Sequence, residues 1–399
     1  MKFLFDDESF SFEALRTAGH GCYGGAELGE VLVTCRNIPE GDEAAWCREW
    51  SATAERVHRI GSEARAAGHL VSAREALLRA SNYYRNADFY RREDPDNDTV
   101  SARLATLSRQ TFAAAVELFD HPPLRQAIPY EGGALPGFLF RVDDSSEPRP
   151  TVILHGGFDS TLEELYFFAA EGALRRGYHV LAFEGPGQAS ARRESGLVFR
   201  PDWERVVTPV VDHAIALPGV DPARLVLFGT SLGGYLAARA AAFEHRFAAC
   251  VLHDGVYSFH EAYRDAMPPF LHDWIIDKRD DLANPVLQLM MALSTQSRWA
   301  VRNGMWTFGA ASPAEYIRMT QPYTLDGLAD KITCPTLVLE AENDQFFRGQ
   351  PVKVHDALRC EKELMVFAAA DGGGEHCHEG ATQLFNQQTF DWLDTRLGR

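Results

Sequence analysis

The chain has 399 residues, of which 46% are hydrophobic and 24% charged, as in an ordinary globular protein. Its formal net charge of −17 excludes the basic footprint that nucleic acids and anionic membrane surfaces require, so neither is expected as a partner. The first residues lack the apolar stretch of a secretory signal and no run of about 18 apolar residues occurs. A cytoplasmic location is therefore expected.

The first third of the chain predicts helices without strands. Residues 1–40 combine four phenylalanines with a glycine-rich stretch, and they predict an ordered but irregular lead-in. Residues 43–119 carry apolar stripes at helical spacing and predict three helices. Helices in sequence form a layer of their own rather than part of a βα alternation, so residues 1–122 are interpreted as an N-terminal helical domain that ends near His121-Pro122-Pro123.

The rest of the chain alternates between strands and helices. Predicted strands cover 125–130, 137–142, 151–154, 178–183, 225–228, 248–252, 335–340 and 363–368. This alternation predicts an α/β core over residues 123–399, with a mostly parallel sheet covered by helices on both faces. It breaks down between about 256 and 325, a segment rich in aromatic residues and proline. That segment is predicted to be a cap, since an insertion beyond the carboxyl ends of the strands would roof the ligand site.

One turn in the core predicts a nucleophile. The apolar run that ends at Phe228 gives way to an alanine-rich helix near Gly233, and Ser231 lies between them in the pattern Gly229-Thr-Ser-Leu-Gly233. A G-x-S-x-G turn between strand and helix is typical of a nucleophile elbow, which lifts the serine Oγ above the sheet edge. The alternative is an ordinary strand-to-helix turn that contains a serine.

Serine becomes a strong nucleophile when a histidine takes its proton and a carboxylate fixes the tautomer of that histidine. In strand–elbow–helix enzymes the chain order is serine, acid, histidine. Asp344 follows the strand 335–340, and His376 follows the last strand. We therefore predict a triad of Ser231, Asp344 and His376.

Each partner of the serine has rivals. Glu342 and Asp254 also follow predicted strands and are alternatives for the acid, although Asp344 is favoured. His378 is the alternative for the base. These alternatives remain open at the level of sequence.

An oxyanion needs backbone donors where its charge develops. The segment His155-Gly156-Gly157-Phe158 follows a predicted strand and is similar to the glycine-bearing loop that supplies one donor in lipases and esterases. We predict the amides of Phe158 and Leu232 as donors, with Gly157 allowing close approach of the backbone.

Metal and cofactor sites are not expected. The triplet His376-Cys377-His378 would alternate sides on an extended chain and offer at most two ligands to one ion. The segment Gly185-Pro186-Gly187 lacks the third glycine of a dinucleotide fingerprint, its proline removes an amide, and no helix is predicted to follow at once. We predict neither a metal, nor NAD, nor FAD.

Several motifs together resemble one family. They are residues 155–164, Phe183-Glu-Gly-Pro-Gly-Gln188, Gly229-Thr-Ser-Leu-Gly-Gly234, Glu375-His-Cys377, and in the helical part residues 66–76 and 80–85. In combination they resemble the α/β-hydrolases related to 2,6-dihydroxypseudooxynicotine hydrolase and to the fungal polyketide chain-shortening hydrolases of pigment synthesis. The resemblance covers the chain from about residue 40 onward. Ala189 departs from it, because relatives continue this loop with glycine.

The resemblance implies an α/β-hydrolase fold with its triad in a cleft between core, cap and helical domain. It also implies cleavage of a C–C bond next to a ketone, or of an ester, in a small, largely apolar aromatic or polyketide-like compound. Two alternatives remain open: an acyltransferase or cyclase that uses the same nucleophile, and a ligand-binding protein on a hydrolase scaffold. A homodimer through the helical domain is compatible with the sequence, and no residue pattern requires it.

Overall fold

The computed structural model describes residues 2–399. Its centre is a sheet of eight strands in the order β1-β2-β4-β3-β5-β6-β7-β8. The strands are β1 (Leu124–Tyr130), β2 (Gly133–Phe140), β3 (Arg149–His155), β4 (His179–Phe183), β5 (Val220–Thr230), β6 (Ala249–His253), β7 (Thr336–Ala341) and β8 (Lys362–Phe367). The first two strands join the sheet antiparallel, and β3 to β8 are parallel. The predicted mostly parallel sheet is confirmed.

The helices before the sheet are α1 (Glu8–Gly19), α2 (Leu28–Cys35), α3 (Glu43–Ala66), α4 (Leu70–Asp88) and α5 (Thr99–Val116). The expectation of an irregular lead-in over residues 1–40 is wrong, because α1 and α2 lie there. The carboxylate of Asp7 caps α1 by accepting from the amide of Phe10. Residues 9–17 of α1 are all buried, so packing stabilises a helix that shows no one-sided apolar stripe.

The helices of the core are α6 (Leu162–Leu165), α7 (Glu171–Leu174), α8 (Ala189–Ser195), α9 (Glu204–Ile215), α10 (Leu232–Ala241), α16 (Gln350–Ala357) and α17 (Thr382–Arg396). A π-turn over Tyr166–Ala170 joins α6 to α7, where one helix was expected. The expectation that no helix follows the segment 185–187 at once is also wrong, because α8 begins at Ala189. Its short length and the proline before it leave the other arguments against a dinucleotide site unchanged.

Five helices lie between β6 and β7, in the segment predicted as a cap: α11 (Phe259–Asp265), α12 (Pro269–Ile276), α13 (Asp280–Leu293), α14 (Thr295–Phe308) and α15 (Pro313–Met319). They pack against the N-terminal helices. The ring of Trp299 stacks on Phe89 with 4.5 Å between centroids, and the indole of Trp306 donates to Asp96. Across residues 2–399, no helix is both long and apolar enough to span a membrane.

Candidate active site

Ser231 lies at a strained turn between β5 and α10. Its backbone angles are φ 60° and ψ −126°, a conformation that costs a non-glycine residue free energy. Its amide donates to the carbonyl of His253. A Cβ at Gly229 would lie 2.0 Å from the carbonyl oxygen of Gly233, so only glycine fits there. The turn thus has the geometry of a nucleophile elbow.

The structure brings the three predicted triad residues together. The Nε2 atom of His376 lies 3.0 Å from Ser231 Oγ, and its Nδ1 atom lies 2.8 Å from Asp344 Oδ2. The second carboxylate oxygen of Asp344 accepts from the amides of Phe346 and Phe347. With the Nδ1 proton donated to Asp344, Nε2 is free to accept the proton of the serine hydroxyl.

A second carboxylate lies beside the same imidazole. Asp254, at the end of β6, places Oδ2 at 3.3 Å from His376 Nδ1. That oxygen accepts from both the amide and the thiol of Cys377, at 3.0 and 2.8 Å. The shorter contact and the better-satisfied carboxylate belong to Asp344, so the geometry favours Asp344 over Asp254 as the partner of the histidine.

The pKa values of these groups diverge. Burial raises the pKa of Asp254 to about 7, against the attraction of His376. Burial also opposes ionisation of Asp344, but attraction and a hydrogen bond from His376 outweigh it and lower the pKa of Asp344. For His376, burial favours the neutral form, yet Asp344 and Asp254 together raise its pKa to about 9. Two carboxylates therefore stabilise the imidazolium that forms when the base takes a proton.

The other rivals lie elsewhere. His378 is fully buried, its Nδ1 bonds the carbonyl of Gly373, and its ring packs 4.0 Å from that of Phe367. Burial lowers its pKa to about 3, so it is a neutral core residue. Glu342 accepts from the amide of Ala369 and faces the end of the sheet.

The predicted oxyanion loop lies directly against the elbow. A Cβ at Gly157 would lie 2.6 Å from the carbonyl oxygen of Thr230 and 2.7 Å from the amide nitrogen of Leu232. Leu232 is the first residue of α10, where amides have no acceptor within the helix. The carbonyl of Phe158 accepts from the side chain of Asn303 on α14, so the cap fixes the loop.

A cavity of about 340 Å³ opens onto Ser231 and His376. Its walls come from all three parts of the chain. The N-terminal helices contribute Ser9, Phe12, Glu13, Arg16 and Phe89; the core contributes Phe158, Asp159, Ser160, Glu164, Leu165, Phe168, Thr230, Gln345, Phe346, Phe347, Cys377 and Glu379; the cap contributes Phe259, Ala262, Tyr263, Ala266, Met267, Leu287, Met290, Met291, Gln296, Ser297, Trp299, Ala300, Val301 and Ile317. Most of the lining is apolar, as in sites for small organic ligands.

The contribution of α1 to the cavity was missed by sequence reasoning. Its residues Ser9, Phe12, Glu13 and Arg16 follow the spacing i, i+3, i+4, i+7 of one helix face. The ring of Phe12 lies 6.1 Å from that of His376. The four-phenylalanine pattern of residues 1–40 was the only available signal, and it does not distinguish a buried helix from a loop.

Two groups of buried side chains have donor atoms within 4.8 Å of one another and could hold a metal ion: His253 with Asp254 and Cys377, and Asp254 with Asp344 and His376. The triplet 376–378 is not extended as expected, because Cys377 and His378 both have φ 55°. In the second group each atom is already engaged in the triad contacts described above. The donor chemistry is therefore satisfied by hydrogen bonds within the protein.

Comparison with known proteins agrees with the fold. The pattern of the alpha/beta hydrolase family matches residues 151–388, and the chain belongs to this family. The crystal structure of the 2,6-dihydroxy-pseudo-oxynicotine hydrolase superposes with a TM-score of 0.74 at 22% identity, covering 94% of both chains. The expected α/β-hydrolase fold is confirmed.

Relatives with higher identity extend over the whole chain. Hydrolase acrC of Aspergillus aculeatus is 38% identical over 99% of this chain and 98% of its own length. The 20-hydroxy-prefusarin hydrolase FUS2 of Gibberella moniliformis is 36% identical over 98% of this chain and 97% of its own. The chain is therefore an enzyme of the α/β-hydrolase class.

Proposed function

We propose that the chain is a serine hydrolase in which Ser231, His376 and Asp344 cleave a C–C bond next to a ketone, or an ester bond, in a small, largely apolar aromatic or polyketide-like compound. The observation that carries this proposal is the unbroken series of hydrogen bonds from Ser231 Oγ through His376 to Asp344 at the wall of an apolar cavity. The similarity to a hydrolase of 20-hydroxy-prefusarin supports the substrate class.

In the first half-reaction Ser231 Oγ bonds to the substrate carbonyl carbon while His376 Nε2 takes the hydroxyl proton. The amides of Phe158 and Leu232 would hold the oxyanion. When the intermediate collapses, the bond to the leaving carbon or oxygen breaks and His376 returns the proton to that atom. An acyl group remains on the serine.

In the second half-reaction water replaces the leaving group. His376 takes a proton from the water, the hydroxide adds to the acyl carbon, and collapse releases a carboxylic acid and restores the serine hydroxyl. Cleavage of a C–C bond by this route needs a substrate in which a neighbouring ketone accepts the electron pair of the leaving carbon. An ester has no such requirement.

The test is labelling with a fluorophosphonate followed by intact-mass analysis. We expect one adduct on the native chain and none on the Ser231→Ala variant, because only an activated serine attacks this reagent. An adduct on neither protein would overturn the nucleophile. Product analysis with water and competing alcohols then separates hydrolysis from acyl transfer, the alternative that the same triad serves.

A further inference from the structure

A second set of buried charges lies on the cavity wall and has no part in the mechanism above. We call it the α1 charge cluster: Glu13, Arg16, Asp159, Glu164 and Glu379, all of which line the cavity. Arg16 donates to both oxygens of Glu164 at 2.7 Å, to Asp159 at 2.7 Å and to Glu13 at 3.1 Å. The cluster joins α1 to the core at the edge of the oxyanion loop, since Asp159 follows Phe158.

The cluster contains more carboxyl groups than nearby cations can neutralise. Arg85 adds a second cation, 3.7 Å from both Glu13 and Glu164. Burial opposes ionisation of Glu164, but Arg16 and Arg85 outweigh it and lower its pKa to about 2. Burial instead raises the pKa of Glu13, and raises that of Glu379 well above its usual range. These two side chains are therefore the members that take up a proton most readily and become hydroxyl donors.

Both of these carboxyl groups have an unused oxygen. Glu13 Oε2 and Glu379 Oε2 have no hydrogen-bond partner within residues 2–399, although the residues are only 2% and 3% exposed. A buried polar atom without a partner costs about 1–3 kcal/mol. That cost is recovered when a ligand supplies the missing partner.

The cluster lies within reach of a molecule bound at the triad. Glu13 is adjacent on α1 to Phe12, whose ring contacts that of His376 at 6.1 Å between centroids. Arg16 lies one helical turn beyond Phe12, with its guanidinium on Asp159. A ligand that reaches from Ser231 along α1 therefore passes from the reacting centre to the cluster.

We propose that the α1 charge cluster is a substrate subsite, in which Glu13 donates a hydrogen bond to a second, uncharged carbonyl oxygen of the substrate. This inference rests on the proposed function, because it places the other carbonyl on Ser231. A substrate carboxylate is disfavoured at this subsite, since it would add a negative charge beside four buried carboxyl groups. A compound with a single carbonyl leaves Glu13 unpaired.

The test measures binding in the Ser231→Ala variant, where no turnover occurs. The probes are benzoylacetone and its homologues with one and two further methylene groups between the carbonyls, each against the phenyl ketone of equal chain length with one carbonyl. We expect at least one diketone to bind about tenfold more tightly than its monoketone, as one additional buried hydrogen bond implies. No preference in any pair overturns the subsite.

The preference must also depend on Glu13. In Ser231→Ala/Glu13→Leu we expect the diketone and monoketone affinities to become equal, with folding checked by circular dichroism. Ser231→Ala/Glu13→Gln keeps the shape and a donor, and it is expected to keep the preference even if the leucine variant fails to fold. A preference that survives in the folded leucine variant overturns the role of Glu13.

A matched control is Ser231→Ala/Glu244→Leu. Glu244 is also buried and paired with an arginine, Arg246, but it lies outside the cavity, so the diketone preference should not change. The two proposals fail separately. Fluorophosphonate labelling of the native chain without a diketone preference overturns the subsite alone, and a preference without labelling overturns the proposed function alone.

Discussion

The two sides of the cavity are built in different ways. On the sheet side, Ser231, Asp344 and His376 each follow a neighbouring parallel strand: β5, β7 and β8. Their convergence follows from the sheet itself, because the carboxyl ends of parallel strands meet at one edge. On the helical side, α1, α13 and α14 meet only through tertiary packing. The comparison suggests that the sheet side determines the chemistry and the helical side determines the substrate.

The largest expected effect is on the sheet side, at the carboxylate of the triad. Asp344→Asn should lower kcat by about 10³- to 10⁴-fold, because the amide no longer fixes the tautomer of His376. Steady-state kinetics on any substrate found by screening measures this. The matched change Asp254→Asn should cost about tenfold or less, as for an outer partner of the histidine. Equal losses would show that the two carboxylates share the role.

The next effect concerns the oxyanion loop. Gly157→Ala would place a Cβ against the backbone of Thr230 and Leu232 and move the loop, so kcat should fall by about 100-fold. The control is Gly29→Ala on α2, where an added Cβ meets nothing within 4 Å; its kcat should equal that of the native chain. A Gly157→Ala variant with native kcat would remove this loop from the mechanism.

A smaller effect is expected in the pH profile. The base must be neutral to accept a proton, and the pKa of His376 is raised to about 9. Activity as kcat/KM should therefore rise with pH up to about 9 and then level off. Asp254→Asn removes one of the two negative charges beside the imidazole, which lowers the pKa of His376. The rise should then occur at lower pH by about one unit; an unchanged profile would show that Asp254 does not act on the base.

The smallest effect is on the helical side. Met290 of α13 lines the cavity, so Met290→Ala should raise KM about fivefold through lost apolar contact, with kcat nearly unchanged. Leu293 lies on the same helix and is 79% exposed, and Leu293→Ala should change neither constant. A drop in kcat in the Met290 variant would contradict the division between the two sides.

Sequence could predict the sheet side because its signals are local. The elbow at Ser231 and the positions of Asp344 and His376 depend on a strand followed by a few loop residues. The choice between Asp344 and Asp254 needed coordinates, since both follow strands and both approach the same imidazole.

The helical side could not be predicted in the same way. Helix α1 is buried at most positions, so it lacks the amphipathic period by which helices are recognised. Arg16 and Glu164 are 148 residues apart in the chain, and no local pattern links them. The catalytic roles of Phe158 and Leu232, and the domain limits at 122 and 256–325, remain predictions.

The packing of the cap on the N-terminal helices has a consequence for the evolution of such enzymes. The cap leaves β6 and returns to the adjacent β7, so a foreign cap would not disturb the register of the sheet. Yet its helix α14 is tied to the N-terminal layer by the stack of Trp299 on Phe89 and by the bond from Arg92 to Asn303. A recombination event that replaced the cap alone would break both ties. The two helical layers therefore form one heritable unit of specificity, although the whole of β1 to β6 separates them in the gene.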